Sequence, residues 1–286
     1  IDNGVKIPIH ITGLGLDHLI SIEKDVNYKV NAKKFKFLHI SSCFPRKSVD
    51  VLLKAYEHSF NKNDDVTLVI KTFNNPHNNI AELLEKLQCK NHLFPDVLVI
   101  NEELSDDQLK SLYLQCNVFV APSRGEGFGL PIGEAMQLGI PVITTSWGGQ
   151  LDFCNSSNSW LIDYKFEKAS THFDLDMSYW AEPSYLHLSK IMKYFVSDNT
   201  KEINKRINTA KSSIAKFKWD QVAINNLNFA NSLLKKSSNK GIRIGWVTTW
   251  FTNCGIAAYS KHLIEYMNED IIIFSPLSET RNHDQK

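Results

Sequence analysis

The chain has 286 residues, 43% of them hydrophobic, and a formal net charge of +1. That length admits one or two domains with a sizeable core, and the near-neutral balance, with no basic stripe, excludes nucleic acid as the main partner. Five scattered cysteines (Cys43, Cys89, Cys116, Cys154, Cys254) form no Cys-x-x-Cys pair, which argues against zinc and for thiols in a reducing compartment. No apolar run is long enough to span a bilayer and no signal peptide is evident, so a cytoplasmic location is expected.

Val5 to Ile11 reads as a strand, followed by the turn Gly13-Leu14-Gly15-Leu16-Asp17. Phe35 to Ser41 has the continuous apolar character of a buried parallel strand. An amphipathic helix runs from about Ser48 to Phe60, with Val51, Leu52, Ala55 and Phe60 on its apolar face. Between them lie Arg46 and Lys47, just past a strand's carboxyl end, the edge on which open α/β sheets bind ligands. A basic pair there suits a diphosphate; a solvated loop charge is the plainer alternative. Asp65 to Lys71 is a second strand, and Lys71 reads equally as a phosphate contact or a surface lysine. His77 has no second histidine at metal spacing and reads as a loop residue. A helix over Ile80 to Cys89 and a strand over Val97 to Asn101 follow. Ser105-Asp106-Asp107-Gln108 then opens a helix to about Gln115, with a good N-cap and early acids, rather than a metal pair.

The most informative stretch lies between two strand-like runs, Asn117 to Ala121 and Pro141 to Thr145. It reads Ser123-Arg124-Gly125-Glu126-Gly127-Phe128-Gly129-Leu130-Pro131-Ile132-Gly133-Glu134-Ala135-Met136. A glycine-rich turn lets a ligand approach the main chain, and a helix with Pro131 in its first turn follows. The start of that helix near Leu130 offers free N–H groups and the positive end of a dipole, which suit phosphate. Glu126 in the turn and Glu134 one turn inside the helix can face one crevice and accept hydrogen bonds from hydroxyls. Diphosphate donors beside hydroxyl acceptors describe a nucleotide-sugar site. A glycine-rich strand-to-helix turn can also be plain α/β punctuation.

Beyond it, Ser146-Trp147-Gly148-Gly149-Gln150-Leu151-Asp152 makes a second glycine-rich turn into a short helix, and Ser159 to Asp163 a short edge strand. From Tyr164 to Trp180 the pattern breaks down, and the Asp174-Leu175-Asp176 within it lacks the preceding strand that a metal pair would need. Tyr185 to Val196, Asn199 to Lys216 and Trp219 to Lys235 read as helices. After a linker at 237–241, Ile242 to Val247 starts a fresh strand, then a helix ends near Met267 and Asp270 to Phe274 is another strand. Gly245 and Gly255 do not fall at dinucleotide-fingerprint spacing.

Glu126-Gly127-Phe128-Gly129-Leu130-Pro131, with Glu134-Ala135-Met136 and Gly139-Ile140-Pro141-Val142, resembles the Glu-seven-residues-Glu motif of retaining GT-B glycosyltransferases, glycosyltransferase family 4 in particular. The resemblance implies a doubly wound parallel α/β sheet, a Rossmann-like GT-B lobe. It also implies a hexosyl-type transfer from a nucleotide sugar to a glycan or lipid-linked acceptor, with no metal and no cofactor. By the resemblance Arg46 and Lys47 touch the donor phosphates and Glu126 the transferred sugar. Glu134 meets the ribose hydroxyls, Asn101 sits near the base, and Gly127, Phe128, Gly129, Leu130, Ser41 and Lys71 complete the donor site. The family's phosphate-binding arginine falls near Ser41, where this chain departs, with Arg46 as the stand-in; its usual Gly-x-Gly near Lys71 is absent as well. Trp180-Ala181-Glu182-Pro183 is similar to a helix-opening segment of one branch.

Residues 1–236 are thus expected to be a carboxyl-terminal, nucleotide-sugar-binding lobe with crossover helices, and 241–286 the incomplete beginning of an amino-terminal lobe. That order, and a first residue Ile1, suggest a piece of a longer chain of tandem units serving polysaccharide biosynthesis. Peripheral membrane contact would run through the missing lobe. The rival expectation is a non-catalytic sugar-nucleotide-fold module in a larger glycan-assembly protein; a GT-B phosphorylase or epimerase is a further enzyme alternative.

Overall fold

The computed structural model describes residues 9–170, 177–197, 200–234, 244–248, 250, 255–267 and 271–275. The chain divides into two compact units, Leu19–Ala215 and a second made of Ile1–His18 with Lys216–Lys286.

The larger unit alternates strand and helix: β1 (Phe35–Ile40), α1 (Val49–Ser59), β2 (Val66–Lys71), α2 (Ile80–Lys90), β3 (Asp96–Ile100), α3 (Asp106–Leu114), β4 (Val118–Ala121), α4 (Leu130–Gln137), β5 (Val142–Thr145) and β6 (Trp160–Ile162). The six strands form one parallel sheet in the order β3-β2-β1-β4-β5-β6. Helices cover both faces of such a sheet, which is why its strands are apolar throughout rather than alternating. Phe37, Leu38, Leu68, Val69, Ile70, Val118, Phe119, Val120, Val142 and Ile143 are all buried. After β1 the chain winds outward through β2 and β3, then returns to lay β4 on the other side of β1. The β1/β4 pair is therefore the point where the winding reverses, and sheets of this class hold ligands outside the carboxyl ends of those strands.

A capping box starts α3: the Ser105 amide donates to Gln108 Oε1 at 3.2 Å. Beyond β6 the sequence pattern hid an antiparallel pair, β7 (Tyr164–Lys168) and β8 (Tyr179–Pro183), registered Phe166 to Ala181. Trp180–Pro183, expected to open a helix, is thus a strand; α5 (Tyr185–Val196) begins after Ser184, whose hydroxyl caps the His187 amide at 3.2 Å. Leu188, Met192 and Phe195 of α5 join the core beneath α1 with Leu52, Leu53 and Tyr56. Next comes α6 (Thr200–Ile214), which packs on α4.

The second unit holds α7 (Trp219–Leu234), β9 (Ile244–Val247), α8 (Gly255–Glu265) and β10 (Ile271–Phe274), with β9 and β10 parallel. Trp219, fully buried, centres its core with Val222, Ala223 and Leu263, and Asp17 Oδ1 accepts its amide at 3.0 Å. Residues 9–11, expected as the end of a strand, are not one; the rest of that run, Asp174-Leu175-Asp176 and the 237–241 linker lie outside the described residues. Among the described residues no helix is long and apolar enough to cross a membrane.

Candidate functional site

Two loops meet at the carboxyl ends of β1 and β4. The first, 41–48, contains both non-glycine residues of positive φ among those described, Cys43 at 54° and Ser48 at 56°. Such conformations cost about 1–3 kcal/mol each and persist only where the surroundings dictate them. Here a buried relay does so. The Val120 carbonyl can only accept, so His39 Nδ1, 2.7 Å away, carries the ring proton. Burial pushes the His39 pKa down to about 4, the bond to Val120 opposing, so the ring is neutral and Nε2 accepts. Ser41 Oγ lies 2.7 Å from that nitrogen and takes the Cys43 amide at 3.0 Å. Ser41, one of the expected donor-site residues, is thus also the post that shapes the turn.

The second loop, 122–129, carries Glu126. Its Oε1 accepts from Lys47 Nζ and from Ser123 Oγ, the latter at 2.9 Å, and its Oε2 stands 3.8 Å from Arg46 Nη1. Arg46 Nη1 also donates to the Gly125 carbonyl at 3.1 Å. The structure thus brings together Arg46, Lys47 and Glu126. Burial lowers the Lys47 pKa, with Glu126 opposing and Arg46 adding to the depression. A poorly solvated ammonium of this kind gains much from a second anion.

Gly129, at φ 87°, turns the chain into α4, whose first turn contains Pro131 and no side-chain cap. Pro131 has no N–H there, and the Ile132 and Gly133 amides both donate to the Gly129 carbonyl, at 2.9 and 3.1 Å, so this start offers the positive end of a helix dipole more than free amides. The second glycine-rich turn is wedged against the first. The Gly149 amide donates to the Glu126 carbonyl at 2.9 Å, and a Cβ on Gly149 would lie 1.8 Å from the Gly127 oxygen. Gln150 anchors this turn from beneath, donating to the Thr145 and Trp147 carbonyls at 2.9 and 2.8 Å. Phe128 leans on Phe153, ring centres 5.1 Å apart, while Gly127 is exposed and Leu130 half-buried.

Glu134 is buried, and Tyr113 Oη donates to its Oε2 at 2.7 Å. Burial, then Glu134, drives the Tyr113 pKa well up, so the phenol stays a donor. Lys71 closes β2 with its ammonium on the Thr72 carbonyl at 2.8 Å, its pKa lowered by burial against the opposing Glu102 and Glu103. Asn101, just past β3, is exposed. Neither makes a hydrogen bond or ion pair with Glu126 among the described residues.

Sequence reasoning missed Tyr113 and Arg124. Arg124 is 7% exposed and binds Asp50 and Glu182, 74 and 58 positions away. A buried arginine has no local sequence signature when its partners lie that far off.

Residues 21–171, more than half the chain, match the model of the family described as glycosyl transferases group 1. A stretch of 107 residues is 33% identical to the serotype-specific mannosyltransferase WbdA of Escherichia coli, covering 37% of this chain and 13% of that protein. The fold matches the carboxyl-terminal domain of a group 1 glycosyl transferase, LpcC, from Francisella tularensis, with TM-score 0.54 and 19% identity over 70% of this chain and 97% of that one. It also matches Anabaena Alr3699/HepE in complex with UDP and glucose, with TM-score 0.52 and 20% identity over 71% of this chain and 49% of that one. The chain therefore spans a small part of WbdA and about half of HepE. It belongs to the group 1 glycosyl transferases.

Proposed function

We propose that the larger unit is the donor-binding lobe of a retaining, metal-independent glycosyltransferase, moving a hexose from a nucleotide-diphosphate sugar to a glycan or lipid-linked acceptor. The observation that carries this reading is the Arg46–Lys47–Glu126 cluster, set at the β1/β4 reversal in front of the α4 N-terminus. Negative charge develops on the leaving diphosphate, and preorganised donors there lower the barrier most effectively. Lys47 and Arg46 supply cationic donors and the α4 start supplies the positive end of a helix dipole. In the free site Lys47 is held by Glu126; a diphosphate recruits that ammonium and frees a Glu126 oxygen for a hydroxyl of the transferred sugar. Glu134 would take the ribose hydroxyls, with Lys71 and Asn101 toward the base end. The HepE complex with UDP and glucose supports a nucleotide-sugar ligand for this fold. The acceptor is held by parts of the protein outside this lobe.

Calorimetric titration of the chain with UDP, GDP and ADP, with and without magnesium, tests this. Binding of one nucleotide without metal, weakened in Glu134→Ala, is the expected result. Ser41, engaged with His39 and Cys43 where the resembled family has an arginine, favours a second reading, a non-catalytic module. Binding of none of the three, or an affinity unchanged in Glu134→Ala, selects that module.

A further inference from the structure

We propose that Arg124 is the positioning residue of this site: it locks the loop carrying Glu126 to the loop carrying Arg46 and Lys47 at one spacing, with the β7–β8 hairpin as its anchor. The proposal rests on reading the crevice as a diphosphate-sugar site.

A guanidinium has five N–H donors in a planar fork, and all five are used. One edge grips Glu182 of β8, through Nε at 2.5 Å and Nη2 at 2.8 Å. The other edge grips Asp50 in the first turn of α1, through Nη1 at 2.9 Å and Nη2 at 2.7 Å. The fifth donor reaches the Pro45 carbonyl at 2.7 Å. Trp180 covers the guanidinium face, 4.6 Å from ring centre to Cζ. The main chain repeats the link: the Arg124 amide donates to the Arg46 carbonyl at 2.7 Å, and its own carbonyl accepts from Ala181 at 3.1 Å.

Two consequences follow. Bracketed by two carboxylates with no donor left over, Arg124 cannot itself receive a phosphate. And it ties two places together: on one side its bonds end at Pro45, Arg46 and Asp50, which bracket Lys47, and on the other at Glu182 and Ala181 of β8, while Glu126 follows it by two residues. A diphosphate that draws Lys47 away from Glu126 pulls on both loops. The five-bonded guanidinium keeps them from parting, and a misplacement of about 1 Å in such a site can cost 10²-fold. Lysine, with three donors and no fork, cannot bridge two carboxylates and a carbonyl together.

The test compares wild-type protein with Arg124→Lys by nucleotide titration, by NMR titration of the Lys47 side chain (assigned with Lys47→Arg) and by thermal unfolding. Arg124→Lys is expected to unfold cooperatively, to bind nucleotide about 10-fold more weakly, and to let Lys47 titrate nearer the ordinary lysine range. With a wild type that binds, unchanged affinity in Arg124→Lys overturns the proposal whatever Lys47 does. If the wild type binds none of UDP, GDP and ADP, the donor reading fails, and the Lys47 titration alone decides: a rise upholds the positioning role, and no change or a further fall overturns it. Should Arg124→Lys not fold, Glu182→Gln and Asp50→Asn each loosen one edge of the fork. A loss of about threefold in affinity from each is then expected, and wild-type behaviour of both overturns the proposal.

Discussion

The loops that follow the inner strands, β1 and β4, and those that follow the outer strands, β2 and β3, end the same sheet by different means. The loop after β2 is held mostly by itself: Lys71 bonds the next carbonyl, Asn75 Oδ1 accepts the His77 amide at 3.1 Å, and Asn78 Nδ2 reaches Thr72 Oγ1 at 3.0 Å, with one bond outward from Asn75 Nδ2 to the Ser42 carbonyl at 2.9 Å. The inner loops are held chiefly by each other, through Lys47 with Glu126, Arg46 with Gly125, and Arg124 with Asp50 and Pro45, with β8 as a further anchor through Glu182. They also hold the strained backbone and the buried charges. Locally satisfied loops tolerate change. Mutually satisfied ones transmit it, which suits the end of a site where charge moves.

That contrast should break first at Gly149. Gly149→Ala drives a Cβ into the Gly127 carbonyl, and we expect a loss of roughly 3 kcal/mol in urea unfolding. Gly127→Ala, where a Cβ meets nothing within 4 Å, should stay within about 0.5 kcal/mol of wild type. Equal losses in the two would dismiss the wedge. Next, Lys47→Met should weaken nucleotide binding about 100-fold, or ~2.7 kcal/mol, in calorimetry.

His39 sharpens the comparison in pH. Its folded pKa of about 4 lies below the unfolded value, so between roughly 6.5 and 4 the unfolded chain binds the extra proton. Stability is therefore lost as pH falls through that window, by roughly 2 kcal/mol between pH 6.5 and 5. Comparing unfolding midpoints at the two pH values should show this slope in wild type and a flattened one in His39→Gln. The smallest effect is expected at an outer loop: Lys71→Ala should change nucleotide affinity by no more than about threefold, as befits a half-exposed charge. A loss there matching Lys47→Met would erase the inner–outer distinction.

Most of the sheet was legible in the sequence because buried parallel strands are uninterrupted apolar runs; β1, β2, β4 and β5 each lie within a residue or so of their expected bounds. The Arg46, Lys47 and Glu126 grouping was legible too, since strand ends and a glycine-rich turn place residues at a known edge. The β7–β8 pair was not. Its first strand, Tyr164–Lys168, is too short an alternation to stand out, and its partner strand begins only at Tyr179. The partner of Glu134, the Tyr113 phenol 21 positions earlier, could be seen only in the fold. The relay from Val120 through His39 to Ser41 was equally hidden, because Val120 and His39 are 81 positions apart.

The strand order also has a bearing on how the chain acquires its shape. β1 can pair with β2, and β2 with β3, early, as successive neighbours, but the other edge of β1 must wait for β4. Until then Phe37 and Leu38 border an unpaired, largely apolar edge, the kind that recruits other chains. Long-range parallel pairing of this sort is slow, because the loop entropy is lost before the contact is gained. During synthesis the three-stranded half emerges first and stays incomplete until about Ala121 has left the ribosome. A chaperone that shields β1 during that interval would raise the yield of folded protein without touching its final stability.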